Sequence, residues 1–495
     1  MEVVQAGPLL LFCLLISIIF LSIKMHKKKS QLPPGPTPLL FLGNFLQKDV
    51  LPINKHYPKL VKKYGPVFTV WPGLNPVVVL CGYKTVKEAL VDHAKEFDSR
   101  PVNTIGYQLT KGYGLTSNNE SRWRTLRQFT LSTLRDFGMG KKTMSKKVQE
   151  EAVCLVDEIA TTEGQAFDLR SIIASAASNV ICSVVFGNRF DYQDKHFQEL
   201  LCILDNYMYF HRSFLGVVYS FIPQIMNYLP GRHKKIFADC EKLCAFIRGK
   251  VESHKENLDP QNPSDYIDCF LLRSEKEHNS PEGVFGQENL AACVFQLFVA
   301  GSGTVSFALL SLLLLMAKLP HLQEKVQKEI REVVGANRMP GMEDQLRMPF
   351  TNAVIYEVQR HIAAGLETLP RATSCHTKFR GYTIPQGTTV IPVLTSVHFD
   401  PLQWETPDKF NPGHFLDEKG QFWKRDAFMP FSAGKRACPG EALARMEIFL
   451  FFSILLQNFT FQLVGDAKNM EVSSLILEFK EKNLYPSLKA IRSSL

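Results

Sequence analysis

The chain has 495 residues, 45% of them hydrophobic and 21% charged, with a formal net charge of +9. That length supports a large buried core, in one big domain or in two or three of ordinary size. Eleven cysteines, an odd number without a CxxC pair, exclude a disulfide framework and point to a reducing compartment, where the sequons at Asn119 and Asn458 go unused. The positive charge suits an anionic membrane surface or an acidic protein partner; no motif supports nucleic acid, and none is expected as a partner.

Ala6–Ile23, AGPLLLFCLLISIIFLSI, is long and apolar enough to cross a bilayer, and it is followed by Lys24, Lys27, Lys28 and Lys29. Basic residues stay on the cytoplasmic side, so the body faces the cytosol. A cleaved signal peptide would carry its charge before the apolar run and a small-residue site after it; neither is present, and a retained anchor over residues 1–24 is expected. The basic residues and then LPPGPTPLLFLGN make residues 25–44 a stiff, non-helical hinge, leaving 45–495 as the body.

Pro66–Gly82 alternates β-branched residues around turn signals and reads as a hairpin, followed by a helical pattern at TVKEALVDHAKEF. Arg100 precedes a loop, and Trp123 and Arg127 share a helical face; an indole N–H and two guanidinium groups can bind carboxylates, or simply pair at a surface. Arg135–Lys147 is a basic run at a helix end. Residues 150–285 are helical and broken by polar loops, with an aromatic stripe at FHRSFLGVVYSF that reads first as core.

Glu288–Lys318 is the longest helical candidate, and its apolar run alone would also fit a second membrane span. AGSGTVS at its centre argues otherwise: Gly301 and Gly303 each cost about 1 kcal/mol against alanine, which marks a place where the backbone opens or something approaches closely. Glu357 and Arg360 share one helix face. Gly381–Leu394 reads as a hairpin turning at Pro385–Gly387, and strand patterns such as LILEF follow near the C-terminus. The class is mainly α with small β-sheets.

FSAGKRACPG, Phe431–Gly440, presents Cys438 just before an apolar helix, beside free backbone N–H groups and the positive end of the helix dipole, which favour a thiolate and orient it toward a metal. Pro439 suits the first helical turn, Gly434 a sharp bend, and Arg436 an anionic cofactor group. A lone cysteine is more often a buried structural residue.

The pattern F-x-x-G-x-R-x-C-x-G resembles the haem-binding loop of cytochrome P-450, and further motifs along the chain agree with the vertebrate microsomal enzymes of family two. The resemblance implies the cytochrome P-450 fold behind an N-terminal transmembrane helix, in the endoplasmic reticulum membrane with the catalytic domain in the cytosol. It implies haem b, with Cys438 as axial thiolate and Arg100, Trp123, Arg127, Arg371 and Arg436 as propionate ligands. Thr304 matches the threonine of the long distal helix that assists proton delivery. Glu357 and Arg360 match the family E-x-x-R, and FNPGHF, Phe410–Phe415, with His414, the segment closing a network with it. Phe210–Phe221 and the stretch holding Glu367 border the substrate in the family, with Glu367 expected to turn to solvent. An NADPH-dependent flavoprotein reductase, meeting Arg135–Lys147 together with Lys424, Arg425 and Lys435, and cytochrome b5 are the implied partners.

The implied reaction is insertion of one oxygen atom from O2 into a lipophilic substrate. The chain departs from the family in one place: the acid expected before Thr304 is Gly303. That keeps open a haem-thiolate enzyme that uses or rearranges peroxide without dioxygen activation, or a non-catalytic haem or lipid binder.

Overall fold

The computed structural model describes residues 31–40, 42–102, 104–277, 283–362, 369–465, 468 and 486–493. The predicted anchor, the lysine-rich start of the hinge, Glu367 and LILEF lie outside them. Two compact units divide the chain: one of residues up to Pro101 with Thr368–Asp400 and Ser432–Arg436, the other of Val102–Glu367, Pro401–Phe431 and Ala437–Leu495.

In the first unit α1, Ile53–Tyr64, precedes the expected hairpin of β1, Val67–Val70, and β2, Val77–Leu80, paired antiparallel with every strand residue buried. α2, Tyr83–Lys87, continues into a π-helical turn, Glu88–Asp92. The proline-rich stretch lies along β1, where Pro34 accepts from Thr69 N at 3.0 Å and the Asn44 side chain from Trp71 N at 2.6 Å.

Residues 381–394 depart from expectation. β3 is Arg371–Ala372, β4 Thr377–Phe379, β5 Tyr382–Ile384 and β6 Thr389–Pro392. The hairpin is β4–β5, while β6 leaves β5 to pair parallel with β2 and antiparallel with β3. Thr373 decides this, because its hydroxyl donates to the Pro385 carbonyl at 2.6 Å and accepts from Thr388 N at 3.1 Å, taking the turn into the larger sheet.

The second unit is helical: α3, Glu120–Asp136; α4, Lys142–Ala160; α5, Leu169–Val185; α6, Lys195–Arg212; α7, Arg232–Asn257; α8, Gln287–Lys318; α9, Pro320–Val333; α10, Pro349–Ile362; and α11, Glu441–Asn458. β7, Phe459–Leu463, and β8, Leu488–Arg492, form a small antiparallel sheet. α8 is apolar and long enough to span a bilayer, but 72% of its most apolar window is buried in this unit, so it is a core helix. Its closest neighbour is α5, and Gly301 sits at the contact: an added Cβ would fall 2.8 Å from Ile181 Cγ1. At Gly303 the same atom would meet Met208 Cγ at an ordinary 3.5 Å.

The two glycines therefore respond oppositely to the same change. Gly301→Ala drives a methyl into a buried β-branched side chain and lowers stability by about 1–3 kcal/mol, whereas Gly303→Ala removes helix-interior glycine without a clash and gains about 0.5–1 kcal/mol. Urea unfolding of the two variants measures both.

Candidate active site

Cys438 closes its loop by donating its backbone N–H to the Phe431 carbonyl at 3.0 Å. Pro439 lies in the turn before α11 and not in its first turn, so the free N–H groups of Gly440 and Glu441 are the ones that face the sulfur. The thiol is exposed by area, yet the atoms packed around it desolvate it and push its pKa up, against the Gly440 N–H, the Arg127 charge and the Glu441 N–H, which pull it down. These donors favour the thiolate as expected, but burial outweighs them, and a cation at the sulfur would favour ionisation further.

Arg127 lies on α3 with its guanidinium over the Trp123 ring at 5.9 Å and Nη2 donating to the Ala437 carbonyl at 2.6 Å. Burial lowers its pKa and the nearby sulfur raises it. Its remaining donors have no partner among the described residues. In the first unit, Arg100 Nη1 donates to the carbonyls of Leu369 and Pro370 at 2.6 and 2.7 Å; Arg371, buried, donates to Ser432 Oγ at 3.1 Å; and Arg436, buried, donates to the Asp98 carbonyl at 2.6 Å. Gly434, at φ 72°, lets this loop pass so close that a Cβ would lie 1.7 Å from the Leu90 carbonyl oxygen.

On α8, Ala300 is exposed and Val299, Gly301, Gly303 and Thr304 are half-buried, in a helix otherwise buried through most of its length. Thr304 Oγ1 donates to the Ala300 carbonyl at 2.7 Å. An exposed thiol with two N–H donors, a stacked arginine with open donors and a bared helix centre made of small residues are the chemistry that a flat anionic macrocycle with a metal requires, and the residues fit haem.

Behind the loop, Glu357 and Arg360 are both fully buried and paired through Nε–Oε2 at 2.8 Å and Nη2–Oε1 at 2.9 Å. Glu357 also accepts from Asn411 N at 2.8 Å and meets His414 Nδ1 at 3.2 Å, while Arg360 donates to the carbonyls of Pro407 and Lys409 and lies over Trp404. Burial alone pushes the Glu357 carboxyl up, but Arg360, His361 and His414 overcome it and hold it well below the usual carboxylate range. Arg445 was not legible as part of this assembly beyond its spacing from Glu441: it pairs with Glu441 at 2.8 Å and stacks over Tyr356 and Phe431 at 4.8 and 4.9 Å.

Of the basic residues expected at a partner surface, Arg135, Lys141, Lys142, Lys146, Lys147 and Lys424 are exposed. Arg425 instead donates from Nη2 to both carboxylate oxygens of Glu405 and lies over Trp404 and Trp423, and Lys435 lies 3.6 Å from Asp98, so these two serve internal contacts.

The family profile described as Cytochrome P450 matches residues 33–485. The chain is a cytochrome P450. This P450 is 46% identical over 477 residues to cytochrome P450 2C14 of Oryctolagus cuniculus, covering 96% of each chain. It is 45% identical over 467 residues to cytochrome P450 2C8 of Homo sapiens, covering 94% of this chain and 95% of the relative. It is 45% identical over 453 residues to cytochrome P450 2B4 of Oryctolagus cuniculus, covering 91% and 92%. Like its family it is a haem-thiolate monooxygenase, an oxidoreductase that receives electrons from a reductase and oxidises lipophilic substrates.

The buried network contributes to the acid sensitivity of this P450. His361 is pushed below its usual pKa by burial and by Arg360, so it stays neutral in the fold; its contribution is present above about pH 6.5 and is lost as pH falls, with Glu357 adding a second loss below about pH 4.3. Thermal unfolding from pH 7.5 to 5 should show a falling midpoint whose slope flattens in His361→Asn. Glu357→Ala, which strands Arg360, should cost about 3–5 kcal/mol.

Proposed function

We propose that Cys438 supplies the axial thiolate of haem b and that Arg100, Trp123, Arg127, Arg371 and Arg436 serve as propionate ligands. The observation that carries this reading is the Cys438 thiol, open by area and faced by the Gly440 and Glu441 N–H groups and the Arg127 charge. When bound, haem supplies oxygen activation and insertion, and thiolate donation favours O–O cleavage. The chain does the rest. Arg127 and the two N–H groups offset charge on the sulfur, so the thiolate is held in one orientation. Thr304 Oγ1, parked on the Ala300 carbonyl, would relay a proton to the site when that bond opens, taking one up from solvent as it gives up its own. The apolar, small-residue centre of α8 keeps the remaining wall free of competing polar groups.

Residues 1–24 anchor the chain once in the endoplasmic reticulum membrane, 25–44 form the hinge, and 45–495 are the catalytic region in the cytosol. An NADPH-dependent flavoprotein reductase docks by charge on the exposed lysines and arginine of 135–147 and on Lys424, with cytochrome b5 as a second donor to the same basic surface. In Cys438→Ser the red-shifted Soret band of the ferrous carbon monoxide complex should vanish; its persistence would remove the thiolate assignment.

Gly303 leaves Thr304 without the adjacent acid that the family pattern carries. A Cβ there would meet Met208 at ordinary contact distance. Gly303→Glu should therefore raise product formed per NADPH consumed, measured with purified protein and reductase; unchanged coupling would mean that another proton route already serves.

A further inference from the structure

Two buried carboxamides of the mostly apolar α8, Asn289 and Gln296, bond to a short turn of the same unit, Tyr113–Asn118. They are seven residues apart in sequence, two helical turns, and so share one face of α8. Asn289 Oδ1 accepts from Gly114 N and from Asn118 Nδ2, both at 2.9 Å, while Asn289 Nδ2 donates to the Val284 carbonyl at 2.9 Å. Gln296 Oε1 accepts from Thr116 N at 3.0 Å, and its Nε2 donates to the Tyr113 carbonyl at 3.1 Å. Asn118 closes the turn by donating to the Gly114 carbonyl at 3.0 Å. Gly114, at φ 86°, lets the amide come this near: an added Cβ would lie 2.5 Å from Gln296 Oε1.

Each carboxamide donates and accepts at once, which neither a carboxylate nor an alkyl group could reproduce. The single helical turn Gly114–Ser117 leaves most of its backbone groups without an internal partner, so these side-chain bonds fix it to α8. α3 begins two residues after Asn118 and carries Arg127 in its first eight residues. Beyond Arg127, Phe129 packs edge-on against Tyr266, Phe270 and Phe285, and Thr130 Oγ1 lies 2.9 Å from the Tyr266 hydroxyl. α3 is therefore held at its start by α8 and further along by these aromatic residues. Between the two holds, Arg127 donates to the Ala437 carbonyl at 2.6 Å, next to Cys438.

We propose that Asn289 and Gln296 are positioning residues for haem: by fixing the turn before α3 they set where Arg127 stands at the cysteine loop. The inference rests on the reading of Arg127 as a propionate ligand. It couples the helix that carries Thr304 to the one that carries Arg127 through side chains committed to backbone groups.

Transfer of haem from the full-chain holoenzyme to excess apomyoglobin, followed by absorbance, tests it. Arg127→Ala should speed transfer, since it removes a ligand. Gln296→Leu should speed transfer about threefold to tenfold in the chain that keeps Arg127, the scale of one or two lost hydrogen bonds. Combined with Arg127→Ala it should add less than about twofold, because a positioning residue acts only through the group it positions. Gln296→Glu keeps the acceptor for Thr116 and loses the donor to Tyr113; it should show the same dependence on Arg127, and it replaces the leucine variant if that one fails to fold. Equal fold-changes with and without Arg127, or no change in either variant, overturn the inference and leave the haem-thiolate reading intact. Transfer from Arg127→Ala at the wild-type rate overturns the assignment of Arg127 as a ligand and the inference with it.

Discussion

Glu357 and Arg360 are fully buried, and opposite charges at that depth are tolerated only where every strong donor and acceptor is matched. Here the matching groups come from the segment leading to the cysteine loop: Asn411 N and His414 on the acid, the carbonyls of Pro407 and Lys409 and the face of Trp404 on the base. An irregular stretch with few regular backbone bonds is thereby fixed by one ion pair. The constraint continues through Tyr356, next to Glu357, which stacks on Phe428 at 4.6 Å and lies under Arg445. Arg445 also covers Phe431 and grips Glu441, the first residue of the helix whose N–H groups face Cys438. A carboxylate near the sulfur raises its pKa, and pairing Glu441 with Arg445 limits that penalty.

The opposite wall depends on what α8 lacks. Gly301 admits Ile181 and brings α5 close, a packing role that any side chain would spoil. Gly303 serves no such contact, because its neighbour Met208 stands at ordinary distance. The same motif thus contains one glycine required by packing and one whose added Cβ would meet only Met208 at ordinary distance.

Much of this was legible beforehand. The cysteine loop, the Trp123–Arg127 face and the Glu357–Arg360 pair are local, set by spacings of three or four residues on a helix, and the structure places each pair in contact. The β1–β2 hairpin was legible for the same reason. Residues 381–394 were not, since the choice between pairing β6 with β5 or with β2 depends on Thr373 and on a strand some 300 residues earlier in the chain. The balance at the sulfur was not legible, because N–H donors can be read from sequence whereas desolvation cannot.

What the sequence determined by itself is the chemistry: a cysteine before a helix, a threonine in a glycine-broken apolar helix, cations at fixed spacings and an acid–base pair on one helix face. Tertiary structure decided the balance among them. It made burial outweigh the donors at Cys438 and turned Arg425 and Lys435 to internal partners. Each of these depends on atoms brought together from distant parts of the chain, and solvation and ion pairing are properties of that assembly and not of any local stretch.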